Sequence, residues 1–375
     1  MINPGSWLGI LGGGQLGRMF TTAAQTMGYK VAVLDPDEGS PAGRVAEKHI
    51  VAQYDDHSAL SELTRLTKVI TTEFENVPAE SLSLLAASVA TRPNAEAVAV
   101  AQDRILEKTF LSECGVTVAP FEALTDQNDI RDSELSTLLP GILKASRFGY
   151  DGKGQRSVQT VEEARKAYAE LGKVPCVLEK RLPLKTEISV VVGRNVQGLT
   201  EIFPIAENQH RNGILDLSIV PARISRDLAS EAESVAIHIA RELNYCGVLC
   251  VEFFVLENDE LVVNEIAPRP HNSGHYTIDA CSLSQFEQQV RILAELPLGH
   301  PTLSSPAVMY NILGDLWKAG EPNWEEVVRR NDVKLHLYGK DAPRPGRKMG
   351  HITALDRDCD QAIKTILEIK QVLEA

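Results

Sequence analysis

Apolar and polar positions along the chain switch between two periods. Trp7-Leu8-Gly9-Ile10-Leu11 is a short apolar run that enters a glycine cluster. A helical pattern follows from about Leu16 to Met27, with Gly28 placed to cap it. Val31 to Leu34 form the next apolar run, ended by Asp35-Pro36, and Lys68 to Thr72 read as a later strand. Strands alternating with helices predict a parallel sheet covered on both faces. One helix of strong formers is expected from Ala95 to Glu113, leading out of this unit. Beyond Gly141 short strands dominate, at Gly141–Lys144, Cys176–Glu179, Thr186–Val192 and Val248–Leu256. A helix from Asp227 to Leu243 interrupts them. Val308–Leu313, the alternating Val333–Leu337 and a helix from about Cys359 complete the pattern.

Composition narrows the function. The 375 residues suggest two or three domains. Lys and Arg total 38 against 51 Asp and Glu, a net charge of −13. Such a chain has no bulk electrostatic attraction to nucleic acid or an anionic membrane, so neither partner is expected. Any phosphate ligand must be held by a local concentration of donors. No apolar run approaches a membrane span, and the first residues show no basic-then-apolar leader pattern. The six cysteines are scattered, without a C-x-x-C pair. A cytoplasmic enzyme with reduced thiols is the expectation.

Two glycine loops carry candidate chemistry. Gly12-Gly13-Gly14-Gln15-Leu16-Gly17 fits G-x-G-x-x-G between a strand and a helix, a place where backbone amides hold phosphate. Asp35 closes the next strand, where a dinucleotide fold places its ribose-binding acid. A nicotinamide oxidoreductase is therefore one reading, and a turn that only packs helix on strand is another. The second loop, Arg147 to Arg156, lies between two strands and fits a mobile lid over a triphosphate, or a plain flexible loop. Lys144 precedes it.

A hairpin gives a sharper signal. Val251–Leu256 and Leu261–Glu265 flank Glu257-Asn258-Asp259-Glu260. If Leu256 pairs with Leu261, Glu252 lies opposite Glu265, and like charges so placed repel. A divalent cation would remove that repulsion, and magnesium suits one or two carboxylates plus substrate phosphates. Two solvated carboxylates are the alternative. Strict alternation turns Asn264 to the other face, so a shared metal site needs a twist or bulge at the strand end.

These parts, in this order, resemble the ATP-grasp superfamily, and within it the 5-(carboxyamino)imidazole ribonucleotide synthases. The carrying segments are Gly12 to Met19, Glu73-Phe74-Glu75-Asn76-Val77-Pro78, Gly149 to Gln155, Asn264 to Thr277 and Arg344 to His351. The resemblance implies mixed α/β and α+β architecture in three parts. These are a Rossmann-like domain over 1–103, an ATP-grasp domain with a mobile lid over 104–299 and a small β-rich domain over 300–375. It implies the use of ATP with magnesium, or manganese in its place, to carboxylate aminoimidazole ribonucleotide with bicarbonate through carboxyphosphate. A formate-dependent glycinamide ribonucleotide formyltransferase is the alternative within the superfamily.

By the same resemblance, Arg104, Lys144 and the lid residues Gly149, Tyr150, Asp151, Gly152, Lys153, Gly154 and Gln155 contact ATP phosphates. Glu179, Lys180, Arg181 and Leu182 form the adenine hinge, Glu187 takes the ribose, and His210 lies near the nucleotide. Glu252 and Glu265 match magnesium ligands, with Asn264 beside them. Tyr150, Asp151, Arg269 and His271 match the bicarbonate and imidazole site, and Glu73 its floor. Gly14, Gln15 and Leu16, with Lys340, Arg347 and Lys348, would hold the ribonucleotide. A homodimer is implied, with a carboxyaminoimidazole ribonucleotide mutase as a candidate recipient of the product.

Overall fold

The computed structural model describes residues 1–125, 135–149 and 154–374. The lid positions Tyr150, Asp151, Gly152 and Lys153 lie outside the described residues.

The first unit is the predicted parallel sheet. Strands β1 (Trp7–Leu11), β2 (Lys30–Leu34), β3 (Lys48–Ile50), β4 (Val69–Thr72) and β5 (Ala90–Thr91) lie in the order β3-β2-β1-β4-β5. Helix α1 (Gln15–Thr26) buries Leu16, Phe20 and Ala24 at helical spacing, and Gly28 ends the turn after it with φ +82°. Gly17 has no substitute here: a Cβ would sit 2.7 Å from the Gly12 carbonyl oxygen. Helices α2 (His57–Leu66) and α3 (Ala79–Ala86) complete this layer.

The expected single helix at 95–113 is two. Helix α4 (Ala95–Gln102) stops at Asp103, which is extended at φ −130° and caps α5 (Arg104–Glu113) by accepting the Ile105 and Leu106 amides. The Arg104 amide is drawn to the Ser146 carbonyl, 2.9 Å away, which fixes the break.

Strands β6 (Phe121–Leu124), β7 (Gly141–Ala145), β8 (Gln155–Val158) and β9 (Cys176–Lys180) form a small sheet in the order β6-β9-β7-β8. Helix α6 (Val161–Glu170) covers it through Ala164, Ala167 and Tyr168.

A nine-stranded sheet makes up the rest. It comprises β10 (Leu184–Arg194), β11 (Thr200–Ile202), β12 (Ala206–Arg211), β13 (Ile214–Val220), β14 (Gly247–Leu256), β15 (Leu261–Ala267), β16 (Ala307–Leu313), β17 (Val333–Leu337) and β18 (Lys348–Leu355). The path runs β15-β14-β10-β12-β13-β16-β18-β17, with β11 beside β10. Helix α7 (Arg226–Glu242) buries Leu228, Ala232, Ala236 and Ile239 against one face, an i, i+4 stripe that closes the core. The strands beyond 300 thus extend the central sheet, which brings their loops to the same cleft.

Candidate functional site

A cleft of about 370 Å³ opens between the two antiparallel sheets and the α4–α5 junction. Its most informative wall is the β14–β15 hairpin. Val255 pairs with Leu261, one residue off the expected register. Leu256 and Glu260 instead close the turn, with Asp259 in the left-handed region at φ +63°. A bulge at Asn264 then shifts the pairing, and Glu252 does face Glu265. The expected outcome thus arises by a different route. The bulge also leaves Asn264, Glu265 and Ile266 lining the cleft together.

The two carboxylates do not share one environment. Arg104 Nη1 lies 2.9 Å from Glu265 Oε2. Burial would raise the Glu265 pKa, but Arg104 and Lys144 outweigh it and hold the group below the usual range. Among the described residues, Glu252 has no lysine or arginine in contact. Burial first, and then the Glu265 charge, push its pKa up. Two opposed acids, one of them resisting ionisation, fit a divalent cation. So does the buried Asn264 Oδ1, which has no hydrogen-bond partner among the described residues. The residues present can therefore hold magnesium.

A buried ionic cluster supports this wall. Lys144 Nζ lies 3.0 Å from Glu179 Oε1, and Lys108 Nζ lies 3.4 Å from Glu179 Oε2. Lys108 also donates to the Asn264 carbonyl at 2.8 Å, which pins the bulge. Burial, together with Arg104 and Lys108, lowers the Lys144 pKa against the pull of Glu179. Toward the cleft mouth, His210 Nδ1 lies 3.0 Å from Glu187 Oε2. Burial disfavours the charged imidazole, but Glu187 more than compensates and raises its pKa.

The opposite end is built by the turn after β15. Arg269 Nε donates to Glu75 Oε2 at 2.7 Å. His271 Nε2 lies 3.1 Å from Glu252 Oε1. Lys348 lines the same end. Cations, a histidine and a pair of acids thus converge on one cavity, a setting for charge-neutralised group transfer.

Sequence profiles divide the chain in the same way. The ATP-grasp domain matches residues 109–286, the ribonucleotide synthetase preATP-grasp domain matches 6–102, and the phosphoribosylaminoimidazole carboxylase C-terminal domain matches 307–365. The N5-carboxyaminoimidazole ribonucleotide synthase of Bacillus subtilis is 43% identical over 98% of this chain and 96% of its own length. That of Brucella melitensis is 44% identical over 94% of this chain and 97% of its own. The chain belongs to the N5-carboxyaminoimidazole ribonucleotide synthase family. It is accordingly an ATP-dependent ligase with the ATP-grasp fold. Solved structures agree in shape. An ADP complex of one synthetase superposes with a TM-score of 0.93 at 42% identity, covering 100% of this chain and 99% of that one. The Aspergillus clavatus synthase, in complex with ADP and 5-aminoimidazole ribonucleotide, gives 0.90 at 30% identity with 100% of both chains covered.

Within this synthase fold, Arg104, Lys144, Gly149, Gln155, Glu187, His210, Glu252, Asn264, Glu265, Arg269, His271 and Lys348 line the one cleft. Gly154 stands at the edge of the lid with φ +72°. Other expected residues have partners within the chain. Glu73, expected in the floor of the imidazole site, lies outside the cleft lining. Its carboxylate accepts the Gly14 amide at 2.5 Å and the Gly17 amide at 2.6 Å. The Gly14 amide is therefore spent internally, because a helix N-terminus must satisfy its free donors. Asp35 takes the Gly13 amide at 2.7 Å and the Tyr54 hydroxyl at 2.6 Å. Gln15 and Leu16 keep amides without a partner among the described residues.

At the hinge, the Lys180 amide donates to Pro120 and the Arg181 amide to Pro140, at 2.8 and 2.9 Å. Only the Leu182 amide has no partner among the described residues, and the Glu179 side chain turns into the ionic cluster. Lys340 donates to the Lys348 carbonyl at 2.7 Å and acts electrostatically on Glu73, which places it beside α1. Arg347 donates to Ala342 at 2.9 Å within its own loop, away from the cleft lining.

Sequence reasoning missed Glu75, Glu107, Lys108 and Asn272. Arg104, Glu107 and Lys108 share one face of α5 at i, i+3 and i+4, a legible sign of charges turned inward. Glu107 accepts the Ile266 amide at 2.7 Å. Asn272 is buried and lines the cleft, yet neither polar atom of its carboxamide has a partner among the described residues.

Proposed function

We propose that this protein joins bicarbonate to the exocyclic amine of 5-aminoimidazole ribonucleotide at the expense of ATP, a step of purine nucleotide synthesis. The observation that carries the reading is the Glu252–Glu265 pair beside Asn264 Oδ1, which has no partner among the described residues, in one cleft with Arg269, His271 and Lys348. Glu252, Glu265 and Asn264 would hold magnesium, which neutralises phosphate charge when bound. Lys144 and Arg104 face the transferred phosphoryl group. Glu187 and His210 meet the nucleotide's ribose, and the Leu182 amide with the hinge carbonyls reads adenine.

A bicarbonate oxygen attacks the γ-phosphorus and ADP leaves, forming carboxyphosphate. The amine then attacks the carboxyl carbon, phosphate departs, and the amine loses a proton. Arg269 and Lys348 supply positive charge where these anions form. The Gln15 and Leu16 amides, with Lys340, suit the ribonucleotide's own phosphate. Lid residues 149–155 would close over the water-labile intermediate. We extend the reading to a cytoplasmic homodimer whose product passes to a mutase. The scattered cysteines, without a C-x-x-C pair, support the cytoplasmic location.

Release of ADP should require magnesium and aminoimidazole ribonucleotide, with bicarbonate consumed in equal amount. Equal turnover with formate and glycinamide ribonucleotide would move the assignment to a formyltransferase. Glu265→Gln should lose ATP turnover by at least about 100-fold while circular dichroism stays unchanged. Near-normal turnover at limiting magnesium would remove the metal role.

A further inference from the structure

The α4–α5 junction reaches both ends of the cleft through residues on either side of Asp103. Arg104, the first residue of α5, pairs with Glu265 at the opposed carboxylates. Gln102, the last residue of α4, is 7% exposed and also lines the cleft. Its Nε2 donates to the Glu75 carbonyl at 2.6 Å and to the Val77 carbonyl. Its Oε1 accepts from Arg147 Nη2 at 3.2 Å. The Glu75 carboxylate in turn accepts from Arg269 Nε at 2.7 Å.

These three partners fix the carboxamide one way round. Two backbone carbonyls can only accept and a guanidinium can only donate, so Nε2 must face the 73–78 segment and Oε1 must face Arg147. A flipped amide would lose all three bonds and set oxygen against two oxygens. Residues 73–78 join β4 to α3 and belong to no helix or strand. Their shape is therefore set by contacts from outside, and Gln102 grips the backbone on both sides of Asn76.

We propose that Gln102 is a positioning residue that sets the place of Arg269. It holds the 73–78 segment, the segment holds the Glu75 carboxylate, and the carboxylate aims the guanidinium at the anion end of the cleft. One junction then fixes two cations, Arg104 at the transferred phosphoryl group and Arg269 at its acceptor. Misplacing one of them slows the reaction even when the reactants still bind. The effect on turnover rests on the carboxylation reading, whereas the hold on Arg269 does not.

The experiment uses the full chain and Gln102→Glu, which keeps the shape of the side chain and removes both donors. In ¹⁵N-labelled protein without substrate, the Arg269 Nε–H signal, assigned from Arg269→Lys, should be protected from solvent exchange. Gln102→Glu should speed that exchange at least about tenfold. Unaltered exchange overturns the proposal, whatever reaction the enzyme performs. In steady-state kinetics, Gln102→Glu should lower kcat about tenfold and raise the KM for bicarbonate, with the KM for ATP changed less than about twofold. In a Glu75→Gln background the same substitution should lower kcat less than about twofold, because it acts through Glu75. A full further loss there, or a loss confined to the KM for ATP, also overturns the proposal. If circular dichroism shows Gln102→Glu unfolded, Gln102→Asn, one methylene shorter, carries the same expectations. Faster Arg269 exchange in the variant of a protein that consumes no bicarbonate would count against the function alone.

Discussion

Glu73 takes its character from burial. Its carboxylate caps α1 through the Gly14 and Gly17 amides, yet burial pushes its pKa up to about 7, against those two bonds and with the Asp35 charge adding to the rise. The folded protein therefore keeps a proton that the unfolded chain releases near the ordinary 4.5. Stability should fall as pH rises through that window and level off above about 7. The limiting slope is about 1.4 kcal/mol per pH unit. Urea unfolding between pH 5 and 8 should show the wild type losing ground to Glu73→Gln, and a constant gap would remove this account. Glu179 is the opposite case. Burial opposes its charge, but Lys144 and Lys108 hold it ionised. Glu179→Gln removes the one carboxylate that ion-pairs with both buried lysines among the described residues. A loss of about 3–5 kcal/mol is expected in chemical denaturation. The carboxyl types and their neighbours in the chain were readable, but which of them would be buried together was not.

Two elements decide how the site is presented. The helix that the pattern predicts across 95–113 is broken at Asp103, because capping α5 and meeting the Ser146 carbonyl compete with continuing α4. Helix formers on both sides hid that break. Asp103→Ala should cost about 1 kcal/mol in urea unfolding at unchanged m-value. It should also raise the KM for ATP, since Arg104 begins the capped helix; an unaltered KM would separate the cap from the site. The hairpin was legible as a hairpin, and the need for a twist or bulge followed from strict alternation, which sends Asn264 to the other face. Where the bulge falls was decided by contacts from another element, above all the Lys108 bond to the Asn264 carbonyl. Strand register is soft wherever alternation alone sets it, and one external anchor fixes it.

At the scale of the molecule, the C-terminal strands close the site. Adding β16, β18 and β17 to the central sheet carries the loop of Lys340 to α1 and Lys348 to the cleft. The Arg44 guanidinium holds that loop to the first unit through the Gly339 carbonyl at 3.1 Å and the Asp341 carboxylate. Lys348→Ala should raise the KM for the ribonucleotide at least about tenfold and the KM for ATP less, in steady-state kinetics. The reverse order would place Lys348 at the nucleotide instead.

The sequence by itself determined the α/β start, the strand-rich remainder, both glycine loops and the opposed carboxylates. Each follows from local period, turn chemistry or spacing, which a chain carries in its neighbours. Tertiary structure decided which donors stay free. Gly13 and Gly14 spend their amides on Asp35 and Glu73, Lys180 and Arg181 spend theirs on Pro120 and Pro140, and the Gln15, Leu16 and Leu182 amides have no partner among the described residues. It also decided that Ser273 aims its amide at His271. Hydrogen-bond satisfaction and burial are properties of the packed interior, set by residues far apart in sequence, so no local pattern records them.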